Sequence, residues 1–170
     1  QIEKCIRGDE NSCFELYRKY APRLFPVCIR YARTREEAED MLQESFIQIF
    51  RRLSEFEYRG SFEGWLSKIT VRTSINMLKS KLGKWGQVLS AEEPQNLSSD
   101  SGGYIERETL SQLVAELPDG MRTIFNLSVV EGYSHQEIAN LLSISESNSR
   151  AQLSRARAKL KDSFINSNLF

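Results

Sequence analysis

One stretch in the middle of the chain, residues 83–103, carries no helical period and separates two parts that do. It reads GKWGQVLSAEEPQNLSSDSGG and holds four of the nine glycines, one proline and four serines. Such a composition is typical of linkers and turns. On both sides apolar residues recur at helical spacing, and strand-like alternation of useful length is absent. The sequence therefore predicts an all-α protein of two small helical domains, residues 1–82 and 104–170, joined by a flexible linker.

The composition argues against several classes of protein. With 40% hydrophobic and 27% charged residues, the chain resembles an ordinary soluble protein. No apolar run approaches the roughly 18 residues of a membrane span, and no signal peptide is visible, so we expect a cytoplasmic protein without a membrane partner. The three cysteines are an odd number without a Cys-x-x-Cys pair. This pattern argues against a disulfide scaffold or a cysteine zinc site, and for a reducing cytosol.

The charges are segregated along the chain although the formal net charge is zero. Residues 68–84 and 147–161 each carry five basic residues and no acidic one, whereas the charged residues of 36–44 are all acidic. Two separated basic patches indicate two contacts with anionic partners. Solvated helix faces are the alternative, and charge alone leaves both interpretations open.

Capping residues mark the helices of the first half. Asp9 and Ser61 are each suited to cap the helix that follows, and Thr34 with Glu37 forms a capping box. Pro22 and Pro26 lie between the helix start at Asp9 and the helix start at Thr34. Because proline lacks the N–H and clashes with the preceding turn, we expect these residues to start a new helix or to kink the first one.

The second half ends in a helix-turn-helix pattern. Helices are predicted from about residue 105 to 117 and from 119 to 130. A second capping box, Ser134 to Glu137, then opens a short helix, and a break at 143–145 precedes a long basic helix from Glu146. A short helix, a tight turn and a longer basic helix are typical of a DNA-reading module.

The last helix divides into two faces at helical spacing. Ser149, Leu153, Ala156 and Leu160 share the face expected in the core. The rest of the surface carries small side chains with cations at its edges: Ser147, Asn148, Ala151, Ser154, Ala158, Arg150, Arg155, Arg157 and Lys159. Small central groups and cationic edges suit a helix that lies in the major groove and clamps phosphates. The preceding turn favours this interpretation over a merely basic, solvated helix.

Two helices of the first half carry further candidate surfaces. From Arg35 to about Ser54, the face away from the core holds Asp40, Gln43, Glu44, Ile47 and Phe50. This face is either a protein-binding surface or an ordinary surface with a few apolar residues, and periodicity does not choose between them. The next helix is apolar nearly all round, which leaves a polar strip: Lys68, Arg72, Asn76 and Lys79. The loop before this helix, residues 56–61, carries aromatic and basic side chains and suits unpaired bases. Phe62 and Trp65 are expected in the core.

Together these segments resemble a bacterial extracytoplasmic-function (ECF) sigma factor of RNA polymerase. Residues 36–46, EEAEDMLQESF, resemble the core-binding helix of that family, and 59–70, RGSFEGWLSKIT, its segment at the −10 element. Leu-Pro at 117–118, GYSHQEIA at 132–139 and SRAR at 154–157 resemble its second domain. Each motif alone is of moderate specificity, but their order across a linker is highly specific.

The resemblance implies an alternative sigma factor that binds core RNA polymerase, recognises −35 and −10 promoter elements and directs promoter opening and transcription initiation. The first domain would bind the clamp helices of the largest subunit through Asp40, Gln43, Glu44, Ile47 and Phe50. The second-largest subunit's flap and an anti-sigma factor would be further partners.

The resemblance also implies which residues contact promoter DNA. Melted −10 DNA would be bound by Tyr58, Arg59, Gly60, Ser61, Lys68, Arg72 and Asn76. Duplex −35 DNA would be read by Ser147, Asn148, Arg150, Ala151, Arg155 and Arg157. Many members have Gly-Thr-Val where this chain has residues 147–149, Ser-Asn-Ser, and an asparagine where it has Arg72.

Two competing functions fit the sequence less well. An enzyme could use the acidic run as a metal site and His135 as a base, but there is no Glu-x-x-His pair and no nearby partner for the histidine. We therefore expect no catalytic residue, no metal and no cofactor, with His135 facing solvent or a DNA phosphate. A conventional repressor would need a ligand pocket or a dimer seam in place of the acidic-apolar face and the aromatic-basic loop.

Overall fold

The computed structural model describes residues 1–82 and 107–167, with side chains at 1–81 and 110–165. Within these ranges the chain is all-α, which confirms the predicted fold class. The described helices are α1 (Ile2–Ile6), α2 (Glu10–Tyr31), α3 (Arg35–Arg51), α4 (Phe62–Leu82), α5 (Arg107–Ala115), α6 (Asp119–Phe125), α7 (His135–Leu142) and α8 (Glu146–Ser167). None of them is long and apolar enough to cross a membrane.

The chain divides into two compact units, Gln1–Lys81 and Leu82–Phe170. The predicted linker, residues 83–103, lies outside the described residues, so its bounds and flexibility stay predictions. The start predicted for the helix at residue 105 lies outside them as well.

The core of the N-terminal unit forms where α2, α3 and α4 pack together. From α2 and α3 it receives Leu16, Leu24, Tyr31, Phe46 and Ile49, all nearly inaccessible to solvent. From α4 it receives side chains on two sides of the helix: Leu66, Ile69, Val71, Ile75 and Leu78. The prediction that α4 is apolar nearly all round because neighbouring elements cover it is therefore confirmed.

Helix α2 continues through both of its prolines, which excludes a new helix at Pro22 or Pro26, whereas the alternative, a kink, stays a prediction. The two prolines are four residues apart and exposed, so they share the solvent side of the helix. Each proline lacks an N–H, so one backbone carbonyl of the helix loses its hydrogen-bond donor. On the solvent side of the helix water can donate to that carbonyl instead. The buried side keeps the ladder and the packing that hold the helix together.

Side-chain caps begin three helices of the N-terminal unit, as predicted. Asp9 Oδ2 accepts from Ser12 N–H at 2.9 Å, and Ser61 Oγ accepts from Gly64 N–H at 3.3 Å. Thr34 Oγ1 accepts a hydrogen bond from the N–H of Glu37. The Glu37 carboxylate accepts from the N–H of Arg33, the residue before the cap, and pairs with Lys81 of α4. The Lys81 ammonium and the Arg33 N–H lower the pKa of Glu37. The predicted capping box is therefore confirmed only in part: Thr34 caps α3, but Glu37 binds the N–H of Arg33 and not that of Thr34. The Glu37–Lys81 pair ties the start of α3 to α4.

The C-terminal unit packs α6 and α8 around a core completed by α5 and α7. Gly120 to Phe125 are buried, including Arg122, whose guanidinium is 2.9 Å from the Asp119 carboxylate. The helix predicted to run to Val130 changes at Asn126 into a five-residue π-helix, and Gly132 at φ 76° ends this region. The Ser134 capping box is confirmed: its hydroxyl accepts from Glu137 N–H, and the Glu137 carboxylate accepts from Ser134 N–H.

A disulfide joins Cys5 of α1 to Cys13 of α2, which corrects the expectation that the cysteines form no disulfide. Gly8, at φ 88°, allows the tight turn that folds α1 back on the start of α2. The turn brings the two Cα atoms to 5.0 Å, within the range of a disulfide. An odd cysteine count could not reveal this pair, because the third cysteine, Cys28, is buried elsewhere in α2.

We expect Cys28 to remain unmodified by iodoacetamide at pH 8 in the folded protein. Burial raises its pKa to about 11, so about one thiol in a thousand is ionised at that pH. Peptide mass spectrometry after alkylation of the reduced, folded protein should find label at Cys5 and Cys13 only. Labelling of all three sites in urea is the positive control, and equal labelling of Cys28 in the folded state would contradict the assignment.

Replacing Ser134 with alanine should lower the free energy of unfolding of the C-terminal unit by about 1 kcal/mol, because an N-cap is lost. Hydrogen exchange of the α7 amides measures the effect. The matched control is Ser154→Ala, an exposed serine within α8, which should change little. Equal effects of the two substitutions would refute the role of the cap.

Candidate functional site

The residues predicted to bind core polymerase lie on the outer part of α3. Asp40, Gln43 and Ile47 are exposed, Ile47 to 39%, while Glu44 and Phe50 are half-buried. Gln43, Ile47 and Phe50 line one wall of an open groove of about 740 Å³ between α2 and α3. The opposite wall comes from α2 and was missed by sequence reasoning: Tyr17, Ala21, Pro22 and Phe25. Only the packing of α2 on α3 brings these residues opposite the predicted face.

The groove formed by these residues of α2 and α3, called the α2–α3 groove below, is apolar with polar groups at one end. The Tyr17 and Phe46 rings are 4.7 Å apart, and the Arg35 guanidinium lies 5.5 Å from the Phe25 ring centre. Arg35 also donates to Glu39 at 2.9 Å. An apolar floor with a charged rim is the usual anatomy of a protein-binding surface.

Glu44 lies apart from the groove. It accepts from Gln48 Nε2 at 2.7 Å and lines a second cleft, of about 540 Å³, between α3 and α4. Arg72 and Asn76 of α4 line the same cleft. Of the set predicted to bind core polymerase, Gln43, Ile47 and Phe50 thus line the groove, and Glu44 lies beside residues predicted to contact −10 DNA. Asp40 is exposed on α3 and lines neither the groove nor the second cleft.

The loop at residues 57–61 presents the remaining −10 candidates. Tyr58 is 63% exposed and has a φ of 58°, a conformation that a bulky side chain adopts only when its surroundings hold it. Gly60 follows at φ 89°, and Ser61 caps α4. Arg59 is exposed, with Glu57 3.4 Å away.

An aromatic cluster that packs against the loop explains how the Tyr58 ring is held in place. The ring of buried Phe56 lies 5.0 Å from that of Tyr58, 4.9 Å from Phe62 and 5.5 Å from Trp65. Tyr20 of α2 packs edge-on against Phe62 at 5.4 Å. Phe62 and Trp65 are half-buried within this cluster. Aromatic pairs at these separations stabilise the loop beyond simple area burial.

The polar strip predicted on α4 is exposed at three of its four residues, and Lys79 is half-buried. Lys68, Arg72 and Asn76 recur every four residues and all three are exposed. The strip continues from the loop along the same helix, because Ser61 caps the helix that carries it. A strand whose bases reach the loop could therefore run its backbone past the cations of the strip.

Helix α8 of the C-terminal unit presents its predicted faces. Ser149, Leu153, Ala156 and Leu160 are buried, which confirms the core face. Of the residues expected to contact −35 DNA, four are exposed and two half-buried: Ser147, Arg150, Ala151 and Arg157, then Asn148 and Arg155. Arg150 pairs with Glu146 on its own helix. The turn before the helix is closed by Ser143 at φ 58° and by Ser145, whose hydroxyl accepts from Asn148 N–H at 3.1 Å.

His135 does not stand free in solvent, which corrects the expectation for this residue. Its Nδ1 lies 2.9 Å from the hydroxyl of buried Ser149, and its side chain is half-buried. The hydrogen bond joins the first turn of α7 to the first turn of α8. The bond also gives the buried Ser149 hydroxyl a partner, and without one its burial would be costly.

The acidic run of α3 does not converge on a metal site. Glu37 pairs with Lys81 and Glu39 with Arg35. Among the described residues, no group of three or more histidine, cysteine, aspartate or glutamate side chains is placed to hold a metal ion.

A double-mutant cycle should detect the His135–Ser149 bond. We expect Ser149→Ala and His135→Phe each to lower the free energy of unfolding of the C-terminal unit, with a coupling of about 1 kcal/mol. Urea unfolding of the four proteins, followed through exchange of α7 amides, measures it. Strict additivity would mean that the bond contributes nothing.

Comparisons with known proteins agree across both units. The family model of sigma-70 region 2 matches residues 16–82, and that of sigma-70 region 4 matches residues 107–160. The RNA polymerase sigma-H factor of Pseudomonas aeruginosa is 27% identical, over 92% of this chain and 88% of its own. The ECF RNA polymerase sigma-E factor of Haemophilus influenzae is 26% identical, over 95% and 92%.

A solved structure supports the fold. The sigma factor RpoE from Bartonella quintana, crystallised with the anti-sigma factor NepR, matches with a TM-score of 0.54 and 18% identity, over 87% of this chain and 93% of its own. Both sigma regions occur in the order that the motifs predicted, and full-length relatives match over most of the chain. The protein therefore belongs to the ECF sigma factors, which direct promoter recognition and transcription initiation by RNA polymerase.

Proposed function

We propose that this chain acts in the cytoplasm as a non-catalytic sigma factor whose two units divide the work between polymerase and promoter. The N-terminal unit binds the clamp helices of the largest subunit and opens the −10 element, and the C-terminal unit reads the −35 element and contacts the flap of the second-largest subunit. One observation carries the proposal: a single chain has an apolar groove between α2 and α3 and two cation-edged surfaces, one on α4 with its preceding loop and one on α8.

The groove between α2 and α3 is the proposed polymerase contact. Ile47 and Phe50 line the open groove of about 740 Å³ and leave apolar area open to solvent. Asp40 stands next to this surface, where it favours a basic partner. A few central apolar residues supply most of the affinity of such contacts, so Ile47 is the residue whose truncation should matter most.

The loop and the α4 strip are the proposed −10 contact. Extruding a base from the duplex costs a few kcal/mol, and stacking on an aromatic ring returns about 1–3 kcal/mol per base. Tyr58 offers an exposed ring already held by Phe56, so little ordering is needed when a base arrives. Lys68 and Arg72 supply cations for the backbone of the melted strand.

The exposed face of α8 is the proposed −35 contact. Ser147 and Ala151 let the helix backbone approach base edges closely, because their side chains are short. Arg150 and Arg157 lie at the edges of this face, where they reach phosphates. The His135–Ser149 bond holds the angle between α7 and α8, so α8 enters the groove in one orientation.

Spacing between the promoter elements is set by polymerase in this proposal. The elements lie about two helical turns apart, roughly 70 Å. Residues 83–103 reach at most about 70 Å when fully extended and roughly 25 Å as a relaxed coil. The two units therefore reach both elements only when polymerase holds them apart.

An anti-sigma factor is the proposed regulator. A protein that fills the α2–α3 groove would exclude the clamp helices, because both need the same apolar surface. The similar sigma factor RpoE of Bartonella quintana was crystallised with an anti-sigma factor, NepR.

The test is transcription in vitro with core RNA polymerase from a related bacterium on a pool of genomic fragments. Discrete start sites that appear only with this protein would support the proposal and reveal both promoter elements. A folded protein that yields no start sites with active core, and that does not bind core, would overturn it. Tight binding to duplex DNA by a dimer without core would favour a repressor instead.

Ile47→Ala should weaken core binding about tenfold or more, since a central apolar contact is lost. The matched control is Ile29→Ala, which truncates an isoleucine that is 52% exposed on α2 and does not line the groove. Fluorescence anisotropy of labelled protein titrated with core measures both affinities. Equal losses would place the polymerase contact elsewhere.

Arg150→Ala should weaken binding to −35 duplex DNA and reduce the slope of log K against log salt by about one, because one phosphate contact is lost. The matched control is Arg18→Ala, which removes an exposed arginine paired with Glu15 in the other unit. Titration of holoenzyme on a −35 fragment at several salt concentrations separates the two variants. An unchanged slope for Arg150→Ala would remove this residue from the interface.

A further inference from the structure

Helix α1 packs on α2 and on the short 3-10 turn at Leu53–Glu55. It has five residues, too few to be stable alone, and Cys5 is its one buried residue. The disulfide to Cys13 ties that residue to the start of α2. The turn at Gly8 and the Asp9 N–H bond to Lys4 C=O, at 3.1 Å, complete the closed loop.

The same helix forms one wall of a cleft that the −10 loop completes. Residues 1–3 line one side of this cleft, which measures about 310 Å³. Leu16 and Tyr20 of α2 line its base, and Tyr58 and Phe62 line the other side. Three aromatic rings and an apolar floor suit an unstacked base, and Tyr58 is the residue whose strained backbone needs support.

We propose that the Cys5–Cys13 disulfide is a redox modification site, exchanged with dithiols, that sets whether α1 closes the cleft beside Tyr58. This inference rests on the proposed function of the loop at the −10 element. When the disulfide is intact, α1 closes the cleft and the holoenzyme holds the melted −10 strand more tightly. When it is reduced, α1 loses its anchor and the affinity falls.

The chemistry is reversible thiol–disulfide exchange. A thiolate of the dithiol attacks Sγ of Cys13, which is half-exposed whereas Cys5 is buried. The S–S bond breaks, and Cys5 leaves as a thiolate and takes up a proton. The second thiol of the reductant then attacks the reductant's first sulfur in the mixed disulfide, so that the two reductant sulfurs form a disulfide. Cys13 leaves as a thiolate and takes up a proton. Two electrons and two protons pass to the protein, and oxidised glutathione reverses the reaction.

The cellular setting favours a switch over a structural link. A sigma factor works beside polymerase among cytosolic thiol reductants, where disulfides in most organisms are transient and often sense redox state. Cys28 cannot take part, because it is buried and its pKa is raised to about 11.

The first experiment measures the link without any promoter. Hydrogen exchange with mass spectrometry compares the full chain oxidised by glutathione disulfide with the chain reduced by dithiothreitol. Reduction should speed exchange in residues 1–13 about tenfold or more, and should also speed exchange in the loop 57–61, with α3 unchanged. Equal exchange in both states would overturn the proposal whatever the protein does at promoters.

The second experiment measures binding by holoenzyme to fork DNA, duplex at −35 and single-stranded over −10, taken from a start site found in vitro. Reduction should weaken binding about tenfold, the order of one lost base contact, and leave a −35 duplex unaffected. The Cys5→Ser/Cys13→Ser variant should bind weakly in both states, whereas Cys28→Ala should respond as the parent does. A redox response that survives in the double variant, or no response in the parent, would overturn the proposal.

Discussion

Burial of both sides of α4 is the constraint on which the N-terminal unit depends. Leu66 and Ile69 on one side and Val71, Ile75 and Leu78 on the other are removed from water, which is the main favourable term in folding. Only a narrow strip of α4 then remains for contact with DNA. Because α2 and α3 pack on this helix with their inner faces, their outer faces are left to form the groove. One packing arrangement thus separates the proposed polymerase and promoter surfaces.

The aromatic cluster around Phe56 links this core to the proposed −10 contact. Phe62 and Trp65 belong to α4, while Tyr58 belongs to the loop, so the rings connect a rigid helix to an exposed residue with positive φ. Tyr20 adds α2 to the same cluster. On the proposed function, a base that stacks on Tyr58 meets a ring already held in place, and the free energy of stacking is not spent on ordering the loop.

In the C-terminal unit a polar contact holds two helices at a defined angle. A helix-turn-helix needs a defined angle between its two helices, and close apolar packing is one way to obtain it. Here Ser149 is fully buried and meets His135 across the turn. A hydrogen bond is directional, so it holds the angle between α7 and α8 although the buried side chain is small. The small residue at 149 is therefore compatible with a defined angle between α7 and α8.

Local patterns in the sequence determined most of the helices, though not α1, and most of the helix caps. They also determined the buried faces of α3, α4 and α8 and the order of the motifs that identify the family. These features depend on residues three or four apart, whose relation the helix geometry dictates. Tertiary structure alone decided the α2 wall of the groove, the position of Glu44 beside α4, the Cys5–Cys13 disulfide and the His135–Ser149 bond. Each of these joins residues from different helices, and their approach depends on how whole elements pack. The continuation of α2 through Pro22 and Pro26 belongs with them, because packing on its buried side outweighed the local preference of proline.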